Sequence, residues 1–459
     1  MSYTKVKSKF ISLFLVLFLF LGSIFGDPTT VYSMSSTAPA ESEAGIKDTL
    51  IKRTSDYIAQ FNNGNFEDFH KAASEQLQQM VTLDMLKQGW SNLIASIGNP
   101  VQSDNSTYTE QNDLSIVTET LQCTLYDINV TIIYNADLTP VNIDLMLAPK
   151  APAKPQSTSK WKEVAVTVGE KNLPGMLTLP KGVKKPPVVL LIQGSGASDM
   201  NESVGIAPNR PFEDIAHGLA EQGIATLRYN KRTYQYPGAG IDTVEDEILD
   251  DAAAAVKMLS KDKRIDNKRI YLLGHSLGGI LAPKITADNP NIKGFISMAG
   301  TLRSLQAVMM DQNEAIINAQ TSLTEEQKKA SLAQAEAEVN KSLTIKDVDT
   351  SVILGAPANY WRSLNAIDSK AIVKKLKVPM LILQGANDFQ VYADKDYKLW
   401  KTTLKGRKNV TFKLYPGLSH LFMPNQDSAN GAPDITVYNA PNHVKAQVIK
   451  DIAVWVKKQ

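Results

Sequence analysis

Tyr271-Leu272-Leu273-Gly274-His275-Ser276-Leu277-Gly278-Gly279-Ile280 is the stretch whose reading decides the fold. An apolar run enters a turn of small residues, and a second apolar segment leaves it. Ser276 sits at the centre of G-x-S-x-G, the pattern of a sharp strand-to-helix turn that pushes a serine hydroxyl out at the head of a sheet. At Gly274 and Gly278 a Cβ would strike the neighbouring strand or helix. The helix that follows opens with unpaired N–H groups and the positive end of its dipole beside the serine. The same residues also read as a tight glycine-rich turn with an incidental serine, so the surrounding chain has to decide.

Working outward, strands alternate with helices. Residues 162–168 and 173–179 read as a hairpin around Gly169-Glu170-Lys171-Asn172. Val188-Val189-Leu190-Leu191-Ile192 is a continuous apolar run, as expected of a strand covered on both faces. A helix over 211–222, a strand over 224–229 and a helix over 243–259 follow, the last with Glu245, Asp246 and Glu247 placed for the dipole. Further strands read at 270–273, 294–299, 378–384 and 410–414. This rhythm predicts an α/β fold, a mainly parallel, doubly wound sheet begun by an antiparallel hairpin. Residues 302–370 interrupt it, too long for a plain crossover. They read as helical, with Thr324-Glu325-Glu326-Gln327 as a capping box. An insertion at this place is expected to cap the active site. Pro357-Ala358-Asn359-Tyr360-Trp361 then either lines the pocket or packs the cap.

A serine needs a base and a carboxylate to orient that base. Of five histidines, His70 lies in another domain, His217 inside a helix, and His275 next to the nucleophile with its side chain directed away. His443 opens the final helix. His420 follows the last strand, in a loop at the carboxyl end of a parallel sheet, where such folds keep their chemistry. Asp388 ends the strand Leu381-Ile382-Leu383-Gln384-Gly385 and falls between serine and histidine in the expected order. Asp394 and Asp396 read as solvated residues at a helix start. The Leu277 N–H, and the Ser195 N–H in Gln193-Gly194-Ser195-Gly196, are the candidate oxyanion donors. A phosphate-cradling loop does not fit these glycines, since no Gly-Lys-Ser/Thr or G-x-G-x-x-G follows.

Residues 161–459 resemble the α/β-hydrolase superfamily, and within it the bacterial esterases close to dienelactone hydrolases and serine aminopeptidase-like hydrolases. The carrying segments are those around Gln193–Gly196, Leu227–Arg232, Gly274–Gly279, Leu383–Asp388 and Tyr415–His420. The resemblance implies a Ser276–Asp388–His420 triad and hydrolysis of a small-molecule carboxylic ester, with no metal or cofactor. Relatives more often carry His-Gly or an aspartate where this chain has Gln193-Gly194 and Asn230. Neither position belongs to the triad, so the departure bears on substrate preference. A peptidase or a thioesterase would use the same triad. A cell-surface binding protein that has lost catalysis is the non-enzyme alternative.

The remaining third of the chain precedes this domain. At 459 residues, two domains are the natural expectation. Apolar content of 43%, charged content of 21% and a net charge of +2 describe a globular chain without a nucleic-acid-binding surface. Lys5, Lys7 and Lys9 precede an apolar run ending in small residues, so 1–26 reads as a secretory signal and the protein as secreted or cell-surface. The run is about 16 residues, shorter than the ~20 of a spanning helix; retention as an N-terminal anchor, the only expected membrane contact, is the alternative. Cleavage after Gly26 and cleavage near Ala38 or Ala40 both fit. Residues 27–44, rich in Ser, Thr, Pro and Ala, read as a disordered spacer. The single Cys123 cannot form an internal disulfide and reads as an inert core thiol in a half-buried strand.

Residues 45–148 read as a small α+β domain. Ile46, Leu50, Ile51, Tyr57, Ile58 and Phe61 recur at helical spacing until Asn62-Asn63-Gly64-Asn65, and the helical pattern resumes from Phe66 to Trp90. Strands follow at 115–123, 125–134 and 141–147, with turns at Asp127-Ile128-Asn129 or Asn135-Ala136-Asp137. The layout resembles the nuclear-transport-factor-2-like modules that precede some exported hydrolases. His70, Asp68 and Glu67 read as a solvated helix face, and no catalysis is assigned there. Residues 149–160 form a Pro/Ala/Lys linker. Oligomeric state is left open.

Overall fold

The computed structural model describes residues 43–101, 105–207, 209–425 and 435–459. The signal reading for 1–26 and nearly all of the spacer reading for 27–44 lie outside these residues. Glu43 and Ala44 already belong to the helix Glu43–Asn62.

Three shorter helices follow it: Glu67–Ala72, Glu75–Met80 and Leu83–Ile97. They pack on an antiparallel sheet of β1 (Ser106–Gln111), β2 (Leu114–Gln122), β3 (Asp127–Tyr134) and β4 (Pro140–Ala148) in sequential order. The apolar stripe of the helices places Phe61, Phe66, Phe69 and Trp90 in one aromatic cluster. The period-2 pattern of the strands puts Val117, Val130 and Ile132 into the same core. Strand β1 was not expected. It is an edge strand of polar residues, mostly exposed, without an apolar alternation to reveal it. Asp127-Ile128-Asn129 is also not a turn but the start of β3, in register with Gln122-Leu121-Thr120. The chain reverses instead at 123–126, and Cys123 sits in that turn, not in a strand. Its thiol is buried, and burial pushes it up to about 11.

The second sheet has eight strands: β5 (Trp161–Val168), β6 (Leu173–Pro180), β7 (Val188–Ile192), β8 (Ala225–Tyr229), β9 (Ile270–His275), β10 (Ile292–Met298), and, after a short hairpin of β11 (Val352–Ile353) and β12 (Ala356–Pro357), β13 (Met380–Gly385) and β14 (Val410–Tyr415). Their order is β14-β13-β10-β9-β7-β8-β6-β5. β5 and β6 pair antiparallel, and β7 to β10, β13 and β14 run parallel. Every side chain of β7 is buried, as its unbroken apolar run requires. Burying each such Val, Leu or Ile stabilises by about 1.5–3 kcal/mol. From β7 the chain steps outward to β8 on one side, and from β9 to β10 and β13 on the other. The order therefore reverses between β7 and β9, and a crevice opens at their carboxyl ends.

The helix expected over 243–259 begins with a π-helical turn, Glu245–Leu249, before Asp250–Lys261. The extra residue accompanies a buried side chain. Glu247 lies in that first turn, as expected, but it is buried and accepts from Lys231 and from the Tyr360 hydroxyl at 2.6 Å.

The insertion is helical, with Leu305–Ala319 and Glu325–Leu343, and Thr324 and Gln327 form the capping box. Its placement differs from expectation. Leu302, Leu305, Val339, Ile353, Tyr360 and Trp361 pack into the core shared with Ile248 and Ile280. Tyr360 and Trp361 are fully buried, so they pack the insertion and do not line a pocket. Asp396, read as solvated, is fully buried. It accepts from Arg303 Nε at 2.8 Å and from Tyr392 N–H at 2.9 Å, and so ties the base of the insertion to the loop after β13.

Candidate active site

Ser276 links β9 to the helix Leu277–Asp288 with φ 50° and ψ −114°. A non-glycine residue pays strain for that backbone, a feature that clusters at functional sites. The two flanking glycines explain how the turn closes. A Cβ on Gly274 would lie 2.1 Å from the Gly278 carbonyl oxygen, and one on Gly278 would lie 2.5 Å from the Ile192 carbonyl oxygen. Helix and strand approach too closely for any side chain.

Asp388 stands in the loop after β13, and His420 in the loop after β14. His420 Nδ1 is 2.8 Å from Asp388 Oδ2. That oxygen also accepts from Gln384 Nε2 at 2.8 Å, and Oδ1 accepts from the N–H groups of Gln390 and Val391. The carboxylate is thus fixed on all sides. Ser276, His420 and Ser195 line one cavity of about 120 Å³, placed at the crevice between β7 and β9. Leu277 is the first residue of its helix, so its N–H is one of the helix's unpaired donors. Two other histidines are occupied elsewhere. His443 is exposed and 3.0 Å from Asp214, and His217 meets Glu163 at 2.8 Å.

Several residues of the site carry no sequence signal. Glu202 lines the cavity, with φ 53°. Its Oε1 accepts from Gly194 N–H at 2.6 Å and lies 2.9 Å from His275 Nδ1. His275 Nε2 in turn faces the His420 carbonyl oxygen at 3.1 Å. Burial opposes charge on His275, but the Glu202 carboxylate, its hydrogen bond, and the His420 carbonyl outweigh it and hold the imidazole above its usual range. Lys231, buried, donates to the Gly194 carbonyl at 2.9 Å and pairs with Glu247. Gln193 and Asn230, the two departures from the family pattern, hold the same wall. Gln193 Nε2 donates to the Asp199 carbonyl at 3.2 Å, and Asn230 Oδ1 accepts from Met200 N–H at 2.8 Å.

Among the described residues, none from 302–370 lines the cavity. The far wall comes from the N-terminal region, through Leu125 and Tyr126. The expectation that the insertion caps the site is corrected accordingly. Its Gln312 reaches a residue of the cavity wall, donating to the carbonyl of Gln390 at 3.1 Å.

A mainly parallel sheet with a strained serine at its switch point is the α/β-hydrolase arrangement. Comparison with known proteins agrees. Residues 209–427 match the family described as serine aminopeptidase, S33. The chain is 32% identical over 410 residues to esterase EstD of Thermotoga maritima, covering 88% of this chain and 94% of that one, and it belongs to this α/β-hydrolase esterase family. The 410 aligned residues exceed the span 161–459, so the similarity reaches into the N-terminal region. Among solved structures, a Pyrococcus furiosus esterase matches with 16% identity and a TM-score of 0.41, over 68% of this chain and 97% of that one. Est1E of Butyrivibrio proteoclasticus matches with 20% identity and a TM-score of 0.40, over 64% and 99%.

Proposed function

We propose that the chain is an exported serine esterase in which Ser276 is the nucleophile, His420 the general base and Asp388 the group that orients it. The observation carrying this reading is the 2.8 Å contact between His420 Nδ1 and Asp388, with His420 and the strained Ser276 lining one cavity. His420 Nδ1 is engaged by the carboxylate, so Nε2 is the nitrogen that takes the Ser276 proton. Ser276 Oγ then attacks the ester carbonyl. Leu277 N–H and Ser195 N–H stabilise the developing oxyanion, each donor worth about 3–4 kcal/mol. The Gly194 N–H is held by Glu202, which favours Ser195 as the donor from that loop. Water activated by His420 releases the acyl group. A cavity of about 120 Å³ suits a short acyl or alkoxy group, being near the ~150 Å³ that holds a benzene. The signal-like composition of 1–26 supports export.

One observation favours a second reading. Glu202 Oε2 is buried, unpartnered and beside the cavity, where it would suit the ammonium group of an aminoacyl substrate. The test is a panel of p-nitrophenyl esters, an aminoacyl-anilide and an acyl-thioester on wild type, Ser276→Ala, His420→Ala and His443→Ala. Ester turnover lost in the first two variants and kept in the third is expected. Anilide turnover above ester turnover would select the peptidase, and no turnover at all would leave the binding-protein reading.

A further inference from the structure

The cavity beside Ser276 has a wall that the large sheet does not supply. Leu125 and Tyr126, in the turn between β2 and β3, face it. The turn is anchored across the junction. Tyr234 accepts from Lys150 N–H at 3.1 Å and donates to the Leu125 carbonyl at 3.4 Å. Its ring centroid is 4.6 Å from that of Tyr126. Lys150 Nζ bonds the Cys123 carbonyl and, at 2.9 Å, Asp127 Oδ1. Tyr234, from the hydrolase part of the chain, belongs to the N-terminal core cluster.

Within this fixed turn, Tyr126 is 5% exposed, and its hydroxyl is buried without a hydrogen-bond partner. A phenol hidden in that way is unfavourable, and phenylalanine would pack the same space without the penalty. A buried polar group without a partner calls for a reason, and here the cavity offers one: the partner arrives with the substrate. Burial, then the neighbouring Tyr234 and Asp199, hold the phenol well above its usual range, so at working pH it is a hydrogen-bond donor.

We propose that Tyr126 is a specificity-determining residue, contributed to the esterase site by the N-terminal domain. Its hydroxyl donates to an acceptor oxygen that the substrate carries beyond the scissile ester. The preferred substrates are then short esters with an ether, hydroxyl or carbonyl oxygen in the acyl or alcohol part, not plain alkyl esters. This rests on the esterase reading above.

Two isosteric pairs test it: p-nitrophenyl butyrate against p-nitrophenyl methoxyacetate for the acyl side, and butyl acetate against 2-methoxyethyl acetate for the alcohol side. Each is measured on wild type and Tyr126→Phe. The methoxy oxygen only accepts, and phenylalanine keeps the ring. In at least one pair, Tyr126→Phe is expected to lower kcat/KM for the oxygenated member about three- to tenfold relative to its isostere, mainly through KM. Equal losses on all four esters, or unchanged ratios in both pairs, would overturn the assignment while leaving the esterase intact. Failure of wild type to hydrolyse any of the four would overturn the esterase reading as well.

Discussion

Glu202 Oε1 is shared between His275 and Gly194, and through them it joins the loop after β7 to the loop that carries His420. Both ring nitrogens of His275 face acceptors, a carboxylate and a carbonyl. A neutral imidazole can donate through only one nitrogen, so this setting favours the charged form, the direction in which Glu202 and the His420 carbonyl shift the group. The buried imidazole braces the two loops between which Ser276 lies.

The brace predicts an alkaline limit to activity. A raised folded-state pKa means that the stabilisation is fully present below the ordinary histidine value of about 6.5 and is lost as pH rises through the folded value. Asp388, also nearby, acts in the same direction as Glu202. Wild-type kcat/KM should therefore fall at alkaline pH as the His420 carbonyl loses its donor. In Glu202→Gln the fall should move to lower pH, and kcat should drop roughly 10- to 100-fold, the worth of a hydrogen bond to a charged group. An alkaline limb unchanged in Glu202→Gln would assign it to another group.

Away from the site, Glu163 accepts from Arg228 at 2.7 Å, from His217 at 2.8 Å and from Gln156 N–H at 2.9 Å. Burial raises its pKa, but these partners prevail and hold it at about 2. A depressed carboxylate stabilises the fold above its unfolded value, about 4.3, and loses that contribution as pH falls toward 2. Glu163→Gln leaves the buried Arg228 only the more distant Glu213 carboxylate, at 3.9 Å, and should destabilise by up to about 3–5 kcal/mol at pH 7. Urea midpoints of wild type and variant should converge as the pH approaches 2; a constant gap would mean that charge is not what Glu163 supplies.

The parts of the site that were legible in the sequence are those set by local backbone geometry. Ser276 was readable because its turn demands Gly274 and Gly278, and Asp388 and His420 because each follows an apolar strand. Glu202, Lys231 and Glu247 were not. Their partners lie in segments brought together only when the sheet closes, and no spacing in the chain records that Lys231 meets Gly194. The insertion shows the same limit. Its capping box and helices were readable, but which face they bury against was not, and the wall of the site went to Tyr126, 150 residues before Ser276.

The link from the insertion to the site runs through Tyr360, whose hydroxyl donates to Glu247 Oε2 at 2.6 Å, while Glu247 holds Lys231 against the Gly194 carbonyl. Tyr360→Phe should cost about 1–3 kcal/mol by leaving part of a buried charge unsatisfied. It should also lower kcat more than it raises KM, because the disturbed loop carries the proposed oxyanion donor Ser195 and does not supply the wall made by Tyr126. A denaturation midpoint lowered with kcat unchanged would confine Tyr360 to stability.

Two helical glycines should respond to alanine with opposite signs. Helix propensity alone favours alanine over glycine by about 1 kcal/mol. At Gly89, within Leu83–Ile97, nothing lies within 4 Å of an added Cβ, so Gly89→Ala should stabilise by about that amount. At Gly278 the added Cβ would sit 2.5 Å from the Ile192 carbonyl oxygen and 2.7 Å from that of Gln193. Both atoms are backbone. Ile192 ends β7, and Gln193 is tied by its side chain to the carbonyls of Asp199 and Tyr229. The helix, not the strand, must then move, carrying Ser276 and the Leu277 N–H away from Ser195. A displacement near 1 Å suffices for a loss of about 10²-fold. Gly278→Ala should therefore lose that much kcat/KM and also melt earlier, whereas Gly89→Ala should melt later at wild-type activity. Near-normal turnover by Gly278→Ala would mean that the close packing of this helix on β7 does not position the proposed nucleophile.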